Sequence, residues 1–209
     1  MIERLKSLHI FNAAKLSAAT AVGQIISYAA APVLSRIYGP QDFALFATFY
    51  AWIVPLAVLS TWRFEFSIPG TSNNQQAWSH ARWSTRSSLW MACGIGLLFF
   101  IASFFVAHSW HWSYLIALGI LSISLAQVYN FLTTRLNAFK LNATSRIINN
   151  LVLNGMSILL GWWGMLQWGL VAGFLVGQAT TILFFFLSLR LSSKQHSTTE
   201  TDGRVDWST

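Results

Sequence analysis

The chain has 209 residues, of which 55% are hydrophobic and 9% are charged, whereas about 25% of residues are charged in ordinary soluble domains. This composition excludes a soluble globular domain and favours a protein that crosses a membrane several times. The formal charge of +7 does not indicate nucleic-acid binding, because the basic residues stand singly near the ends of apolar runs. Cys93 is the single cysteine, which excludes an intramolecular disulfide and a thiolate metal site.

The apolar runs are long and continuous, which indicates helices and not the alternating strands of a membrane barrel. We therefore predict an all-α membrane protein with six transmembrane helices. The predicted helices cover about residues 12–37, 41–67, 86–107, 113–136, 143–163 and 169–190, within a membrane lobe at 11–191. An interfacial helical segment at 1–10 is expected before the lobe, with no cleavable signal, and a disordered polar tail at 192–209 after it.

The first two helices form a hairpin with a very tight turn. Gly39 is expected to take the left-handed conformation that closes the first helix, and Pro40 suits the first turn of the next. Asp42 follows where the positive end of that helix favours an acid, and Arg36 can pair with it across the turn.

Helix 1 also carries polar residues at steps of three or four, which places them roughly on one stripe. They are Asn12, Lys15, Ser17, Thr20, Gln24 and Ser27. Polar atoms in hydrocarbon are costly unless they face protein or water, so one reading is an inward stripe that borders a wet cavity. The other is that small polar residues only let neighbouring helices approach closely. Lys15 and Gln24 favour the cavity reading more than the smaller residues do.

Helix 2 contains Pro55, which should kink it, and closes on Arg63-Phe64-Glu65. Residues 69–82 are rich in Asn, Gln and Ser and are predicted to form a loop. Helix 3 has the strongest apolar core and is expected to face lipid.

Helices 4 and 5 are most polar in the halves that flank the connection between them, which places these halves at the same membrane face. The second half of helix 4 holds Gln127, Asn130, Thr133, Thr134 and Arg135, and the first half of helix 5 holds Arg146, Asn149, Asn150 and Asn154. Together with Lys15, these donors suit an anionic headgroup that carries hydroxyls, such as a lipid-linked sugar phosphate. Alternatively, Arg63, Arg135 and Arg146 only extend to the lipid headgroups. We select Lys15, Gln24, Asn130, Arg146 and Asn149 as cavity candidates.

The distribution of basic residues predicts the orientation. With the N-terminus in the cytoplasm, twelve of the thirteen lysines and arginines lie on the inner side, and only Arg36 lies outside. This bias predicts a multi-pass protein with both termini in the cytoplasm.

The sequence offers little for catalysis. Of six carboxylates, four lie in the terminal segments, and Asp42 and Glu65 lie near opposite membrane faces. His108 and His111 lack an acidic or cysteine partner for a metal. We therefore expect no enzyme, no catalytic or metal-binding residue and no cofactor.

Two stretches resemble a known family. Residues 32–44 read Pro-Val-Leu-Ser-Arg-Ile-Tyr-Gly-Pro-Gln-Asp-Phe-Ala, and Arg63-Phe64-Glu65 closes helix 2. Supporting similarity comes from Tyr129, Arg135, Phe139 and Ser145-Arg146, and from residues 168–177. Across about residues 8–191, the chain is similar to the N-terminal part of Wzx-type flippases of lipid-linked oligosaccharides. These belong to the multidrug/oligosaccharidyl-lipid/polysaccharide exporter superfamily.

The resemblance implies a six-helix bundle like the N-terminal lobe of a MATE-like flippase, in a bacterial inner membrane. Its implied function is to move undecaprenyl-pyrophosphate-linked O-antigen or capsule units by alternating access, with H⁺ or Na⁺ as a possible coupling ion. Arg36, Gly39, Pro40, Asp42, Arg63 and Glu65 are then structural or gating candidates. Partners would be the lipid-linked glycan, membrane lipids and a second lobe, from a second copy or a separate chain, because members have two lobes and this chain matches the first. The alternatives are a non-transporting assembly subunit, a truncated gene remnant, or a membrane-embedded glycan polymerase or transferase.

Overall fold

The computed structural model describes the backbone of residues 2–70, 74–105, 110–136 and 138–201 and the side chains of residues 17–70, 75–102, 114–136 and 138–188. The described part is all helical. It consists of α1 (Ile2–Ile37), α2 (Pro40–Ser60), a short 3₁₀ helix (Phe64–Ser67), α3 (Asn74–Phe105), α4 (Trp110–Arg135), α5 (Phe139–Trp162) and α6 (Leu166–Thr201).

The helices pack as two groups, with α1, α5 and α6 in one and α3 and α4 in the other. Helix α2 and the contact between α4 and α6 join the two groups. Helix α5 lies between α1 and α6, and α3 lies along α4, while α2 contacts both α4 and α6. The main apolar core forms where α2, α4 and α6 meet, around Phe49, Ile53, Ile120 and Phe174. Gly119 permits this approach, since a methyl group there would come within 2.8 Å of the Ile53 side chain.

Small residues let α5 and α6 pack closely. A Cβ added at Gly173 would clash with the Ser157 hydroxyl, and one added at Gly177 would meet the Leu153 side chain at 3.0 Å. Close approach through glycine is a common way for membrane helices to associate, because lipid gives them little hydrophobic driving force.

The turn between α1 and α2 differs from the prediction at Gly39. Gly39 has φ −80° and ψ 169°, an extended and not a left-handed conformation, and it caps the N-terminus of α2. Pro40 explains this, because its ring excludes helical geometry at the residue before it. The Gly39 amide donates to the Asp42 carboxylate at 2.9 Å. The acid therefore stabilises the helix start as predicted, and its observed partner is this amide.

Tyr38, at the same turn, is buried and joins the hairpin to the rest of the bundle. Its hydroxyl donates a hydrogen bond to the Ser157 carbonyl at 2.6 Å. Gly161 and Gly169 form the slot for its ring, since a Cβ at either position would clash with it or with its hydroxyl. Desolvation, and then the Asp42 charge, raises the pKa of the phenol, so that it remains a donor.

Helix α2 ends at Ser60, seven residues before the predicted end. Trp62 and Arg63 both have left-handed backbone angles, with φ of 50° and 56°, and this conformation interrupts a right-handed helix. The following 3₁₀ helix turns Glu65 into the protein, where it is 1% exposed.

Helix α3 begins at Asn74, so most of the predicted loop at 69–82 is helical. The polar composition of this stretch concealed a helical pattern in which Ala77 and Ala81 are buried with Ile68, Val128 and Leu132. The predicted boundaries differ at the chain ends too. Residues 2–10 continue directly into α1, and α6 extends to Thr201 through a stretch without Gly or Pro. Residues 202–209 of the predicted tail lie outside the described part.

Five helical segments in the described part are long and apolar enough to cross a membrane. They lie in α1, α2, α3, α4 and α6, as Ser17–Ile37, Pro40–Ser60, Gln75–Ala102, Tyr114–Arg135 and Leu166–Ser188. Many large apolar side chains on these segments are exposed, including Ile25, Trp52, Leu98 and Leu183, as expected for surfaces in contact with lipid. Helix α5 carries the polar residues that line the site described next.

Candidate functional site

Two adjoining cavities open along one side of the bundle and share Gln127, Asn130 and Arg146. Their volumes are about 310 and 330 Å³. We call the combined space the polar groove. Its polar lining consists of Gln127, Asn130 and Thr134 on α4, Asn142, Ser145, Arg146, Asn149 and Asn150 on α5, Gln178 and Thr181 on α6, and Arg63 and Glu65 near the 3₁₀ helix.

The spacing of the polar residues on α4 and α5 explains why they converge. Gln127, Asn130 and Thr134 are separated by three and four residues, so they share one face of α4. The short connection from α4 to α5 brings the polar halves of the two helices side by side. The Asn142 amide donates to the Thr134 hydroxyl at 3.2 Å and holds them together.

Arg146 is the exposed cation where the two cavities join. One guanidinium nitrogen donates to the Thr20 hydroxyl on α1 at 3.3 Å. A guanidinium has five N–H donors in a planar fork that matches phosphate and carboxylate oxygens. The groove therefore contains a strong binding group for an anion.

Asn149 and Asn150 connect α5 to different neighbours. The Asn149 amide donates to the Thr181 hydroxyl on α6 at 2.9 Å. The Asn150 side-chain oxygen accepts a hydrogen bond from Ser27 on α1 at 2.9 Å. These bonds fix the amides in place, so the groove has a preorganised polar wall.

Three buried oxygen atoms on the groove residues lack a hydrogen-bond donor within the part of the chain that is described. They are Glu65 Oε2, Asn130 Oδ1 and Asn142 Oδ1. Buried acceptors without a donor are unfavourable. Their presence at one end of the groove marks the region where the polar network is incomplete.

The groove also has an aromatic side. The Tyr50 and Phe174 rings lie edge to face with centroids 5.8 Å apart, and both line the first cavity. At the other end, the Arg63 guanidinium lies 5.2 Å from the centre of the Phe66 ring. The groove thus offers rings beside hydrogen-bond donors and cations.

The structure brings some of the residues selected from the sequence together and separates others. Asn130, Arg146 and Asn149 line the same cavity. Arg63 and Glu65 line the adjoining one.

Gln24 is exposed on α1 and does not line either cavity, while the Lys15 side chain lies outside the described part. The other four candidates, Arg36, Gly39, Pro40 and Asp42, lie at or next to the turn between α1 and α2. Helix α2, which is about 31 Å long at 1.5 Å per residue, separates this turn from Arg63. On the polar stripe of α1, Thr20 and Ser27 bond to α5, so these two residues form a seam between helices at the edge of the groove.

Tyr50, Gln178 and Thr181 are among the groove residues that sequence reasoning missed. Gln178 and Thr181 are three residues apart in the most apolar half of α6, and two polar residues inside such a run were a usable signal. Tyr50 gave no signal, because an aromatic residue in an apolar helix is expected in any membrane protein.

A model of the family described as polysaccharide biosynthesis protein matches residues 11–201. This match agrees with the resemblance to Wzx-type flippases seen in the sequence. Searches of curated proteins and of solved structures found no match. Together with the apolar helices, the family match identifies a multi-pass membrane protein involved in polysaccharide synthesis or export. Because the match covers most of its length, the chain belongs to the polysaccharide biosynthesis protein family.

Proposed function

We propose that this chain forms one lobe of a flippase for lipid-linked oligosaccharides and that the polar groove binds the polar end of that lipid. The observation that carries the proposal is the convergence of Arg146, Asn130 and Asn149 with further amides in one open groove. A pyrophosphate attached to a sugar chain needs a cation for its charge and many hydrogen-bonding partners for its hydroxyls, and this combination of side chains supplies both.

The proposed topology has six spans with both termini in the cytoplasm of a bacterium, in a lobe like the N-terminal half of a MATE-like transporter. In this proposal α5 also crosses the membrane, in addition to the five apolar segments described above. Its polar groups bond to α1, α4 and α6, which lets a helix of lower hydropathy lie within a membrane.

The proposal includes a second lobe that faces the groove, supplied by a second copy or by another chain. The groove is open and polar, and an open polar surface is unfavourable against lipid. A facing lobe would enclose it. Rocking of one lobe against the other would then expose the site to each membrane side in turn. The proposed activity is translocation and not catalysis.

Transport in reconstituted vesicles tests this function. The protein is assembled in liposomes with a fluorescent polyprenyl-pyrophosphate-linked oligosaccharide, and the fraction of lipid that a membrane-impermeant quencher reaches is followed over time. We expect transbilayer movement that Arg146→Gln reduces at least tenfold, the loss expected when one charge-assisted contact of about 1.5 kcal/mol or more is removed.

Lys140→Gln is the matched control, because Lys140 is exposed and lines neither cavity of the groove. It should transport like the unsubstituted protein. Equal movement in protein-free liposomes would contradict the proposal, and chemical conversion of the glycan would replace it with a polymerase or transferase.

A further inference from the structure

A separate concavity lies between the first half of α3 and the second half of α4. Its volume is about 480 Å³. Trp78, Ala81, Val128 and Leu132 form apolar walls, and Arg82 and Arg86 provide its charges. We call it the α3–α4 pocket.

The pocket is independent of the polar groove. Val128 and Leu132 face the pocket, whereas Gln127, Asn130 and Thr134 face the groove. At 100° per residue, these two sets lie on nearly opposite sides of α4. Occupation of the pocket therefore requires no occupant in the groove.

The two arginines of the pocket have no protein counter-charge in the part of the chain that is described. Both are exposed, and neither makes a hydrogen bond or ion pair with a described residue. They are four residues apart on one helix face, where like charges repel. An anion between them would remove the repulsion and bond to both guanidinium groups.

The position along α3 places these charges near the membrane surface. Helix α3 has 32 residues, which is about 48 Å at 1.5 Å per residue, whereas the hydrocarbon core of a bilayer is about 30 Å thick. The apolar end of α3 contains the exposed Leu97 and Leu98, so the surplus length falls at the opposite end with Arg82 and Arg86. Trp78, which is 40% exposed there, is a residue type enriched at this depth.

We infer that the α3–α4 pocket binds one anionic phospholipid of the surrounding bilayer. The lipid phosphate lies between Arg82 and Arg86, and one acyl chain follows the apolar wall formed by Val128 and Leu132. A free phosphate ion would use the arginines and leave this wall uncovered. Pockets that combine basic residues with apolar walls between membrane helices suit anionic headgroups.

Lipid retention measured by native mass spectrometry tests the inference. The delipidated protein is titrated with phosphatidylglycerol, phosphatidylcholine or inorganic phosphate. We expect one phosphatidylglycerol to bind more tightly than phosphatidylcholine, and phosphate alone to compete weakly. The double variant Arg82→Gln/Arg86→Gln should bind phosphatidylglycerol about 30-fold more weakly, because each arginine near an anionic lipid headgroup raises the affinity by about fivefold.

Two further variants separate this site from a general charge effect. Arg36→Gln/Lys140→Gln removes the same number of charges at exposed positions outside the pocket and should bind phosphatidylglycerol like the unsubstituted protein. Arg82→Lys/Arg86→Lys retains the charges and should recover most of the affinity. Circular dichroism verifies that each variant keeps its helix content.

Three results would overturn the inference. They are equal phosphatidylglycerol binding by Arg82→Gln/Arg86→Gln and the unsubstituted protein, equal binding of phosphatidylcholine, and displacement of phosphatidylglycerol by a polyprenyl phosphate at equal mole fraction. Since the readout is lipid binding and not transport, failure here leaves the proposed function of the groove unaffected.

Discussion

The Ser27 hydroxyl on α1 donates a hydrogen bond to the side-chain oxygen of Asn150 on α5, 2.9 Å away. The same hydroxyl oxygen accepts a hydrogen bond from the Asn154 amide at 3.1 Å. Ser27 therefore bonds to two amide side chains at once, at the interface between α1 and α5. This small network fixes α1 against α5, the helix that supplies the largest share of the groove's polar lining.

Removal of the Ser27 hydroxyl should destabilise this interface. We expect Ser27→Ala to lower the free energy of unfolding by about 1 kcal/mol, because it removes two hydrogen bonds between membrane helices that contribute about 0.6 kcal/mol each. Thermal denaturation in detergent measures this loss. Ser35→Ala is the control, because the exposed Ser35 hydroxyl bonds only to the Pro32 carbonyl of its own helix. Equal stability of both variants would show that the network contributes nothing measurable.

Gly169→Ala should destabilise the protein through Tyr38. The added Cβ would fall on the Tyr38 hydroxyl and within 3.1 Å of the ring carbon that carries it. We expect a loss of about 1–3 kcal/mol, typical of overpacking. Tyr38→Phe should restore part of this loss in the double variant, since it removes the clashing oxygen.

Gly155→Ala is the control for the glycine substitution. A Cβ at this position on α5 meets nothing within 4 Å, so alanine should be neutral or should stabilise the helix by up to about 1 kcal/mol. If Gly169→Ala were as stable as Gly155→Ala, the slot around Tyr38 would not be tightly packed.

The bond between Asn149 and Thr181 allows structural and binding roles to be separated. A double-mutant cycle with Asn149→Ala and Thr181→Ala should give a coupling of about 0.6 kcal/mol in thermal stability. In the vesicle assay, Asn149→Ala should reduce transport more than Thr181→Ala, because we propose that Asn149 also contacts the substrate. Equal reduction by both variants would make Asn149 a positioning residue only.

Glu65→Gln tests whether a buried carboxylate is needed for function. The substitution keeps the shape of the side chain and replaces a carboxyl group whose Oε2 atom has no donor among the described residues. We expect the thermal midpoint to stay constant or rise, since a buried acceptor without a donor is unfavourable, while transport falls. Unchanged transport would remove Glu65 from the gating candidates.

Cysteine labelling tests whether the groove is wet. In a Cys93→Ser background, which removes an exposed thiol, Gln127→Cys should react with a water-soluble maleimide. Ser124→Cys on the same helix should remain unreactive, because Ser124 is fully buried. Loss of the Gln127→Cys reaction on addition of substrate would support binding in the groove, whereas an inert thiol at position 127 would contradict an aqueous groove.

The helix content and the convergence of the polar residues of α4 and α5 could be predicted, because long apolar runs and polar residues at helical spacing are properties of the sequence alone. The end of α2 was not, since the left-handed angles at Trp62 and Arg63 belong to residues that rarely adopt them. The polar composition of residues 69–82 predicted a loop at the start of α3, but Ala77 and Ala81 are buried there and define one face of a helix. Gln24 and Thr20 show how far the site residues could be predicted from the sequence. They are four residues apart, yet Thr20 bonds to Arg146 and Gln24 is exposed, because α5 covers only part of the stripe.

Helix α5 makes side-chain hydrogen bonds to α1, α4 and α6 through Arg146, Asn142 and Asn149. Helices α1 and α4 precede α5 in the chain, whereas α6 follows it, so the Asn149 amide would face lipid or the translocation channel without its Thr181 partner until α6 is present. We therefore expect biogenesis to be cooperative, with α5 retained beside the insertion machinery until α6 has been synthesised. The same amides that equip the groove would thus set the order in which the growing chain enters the bilayer.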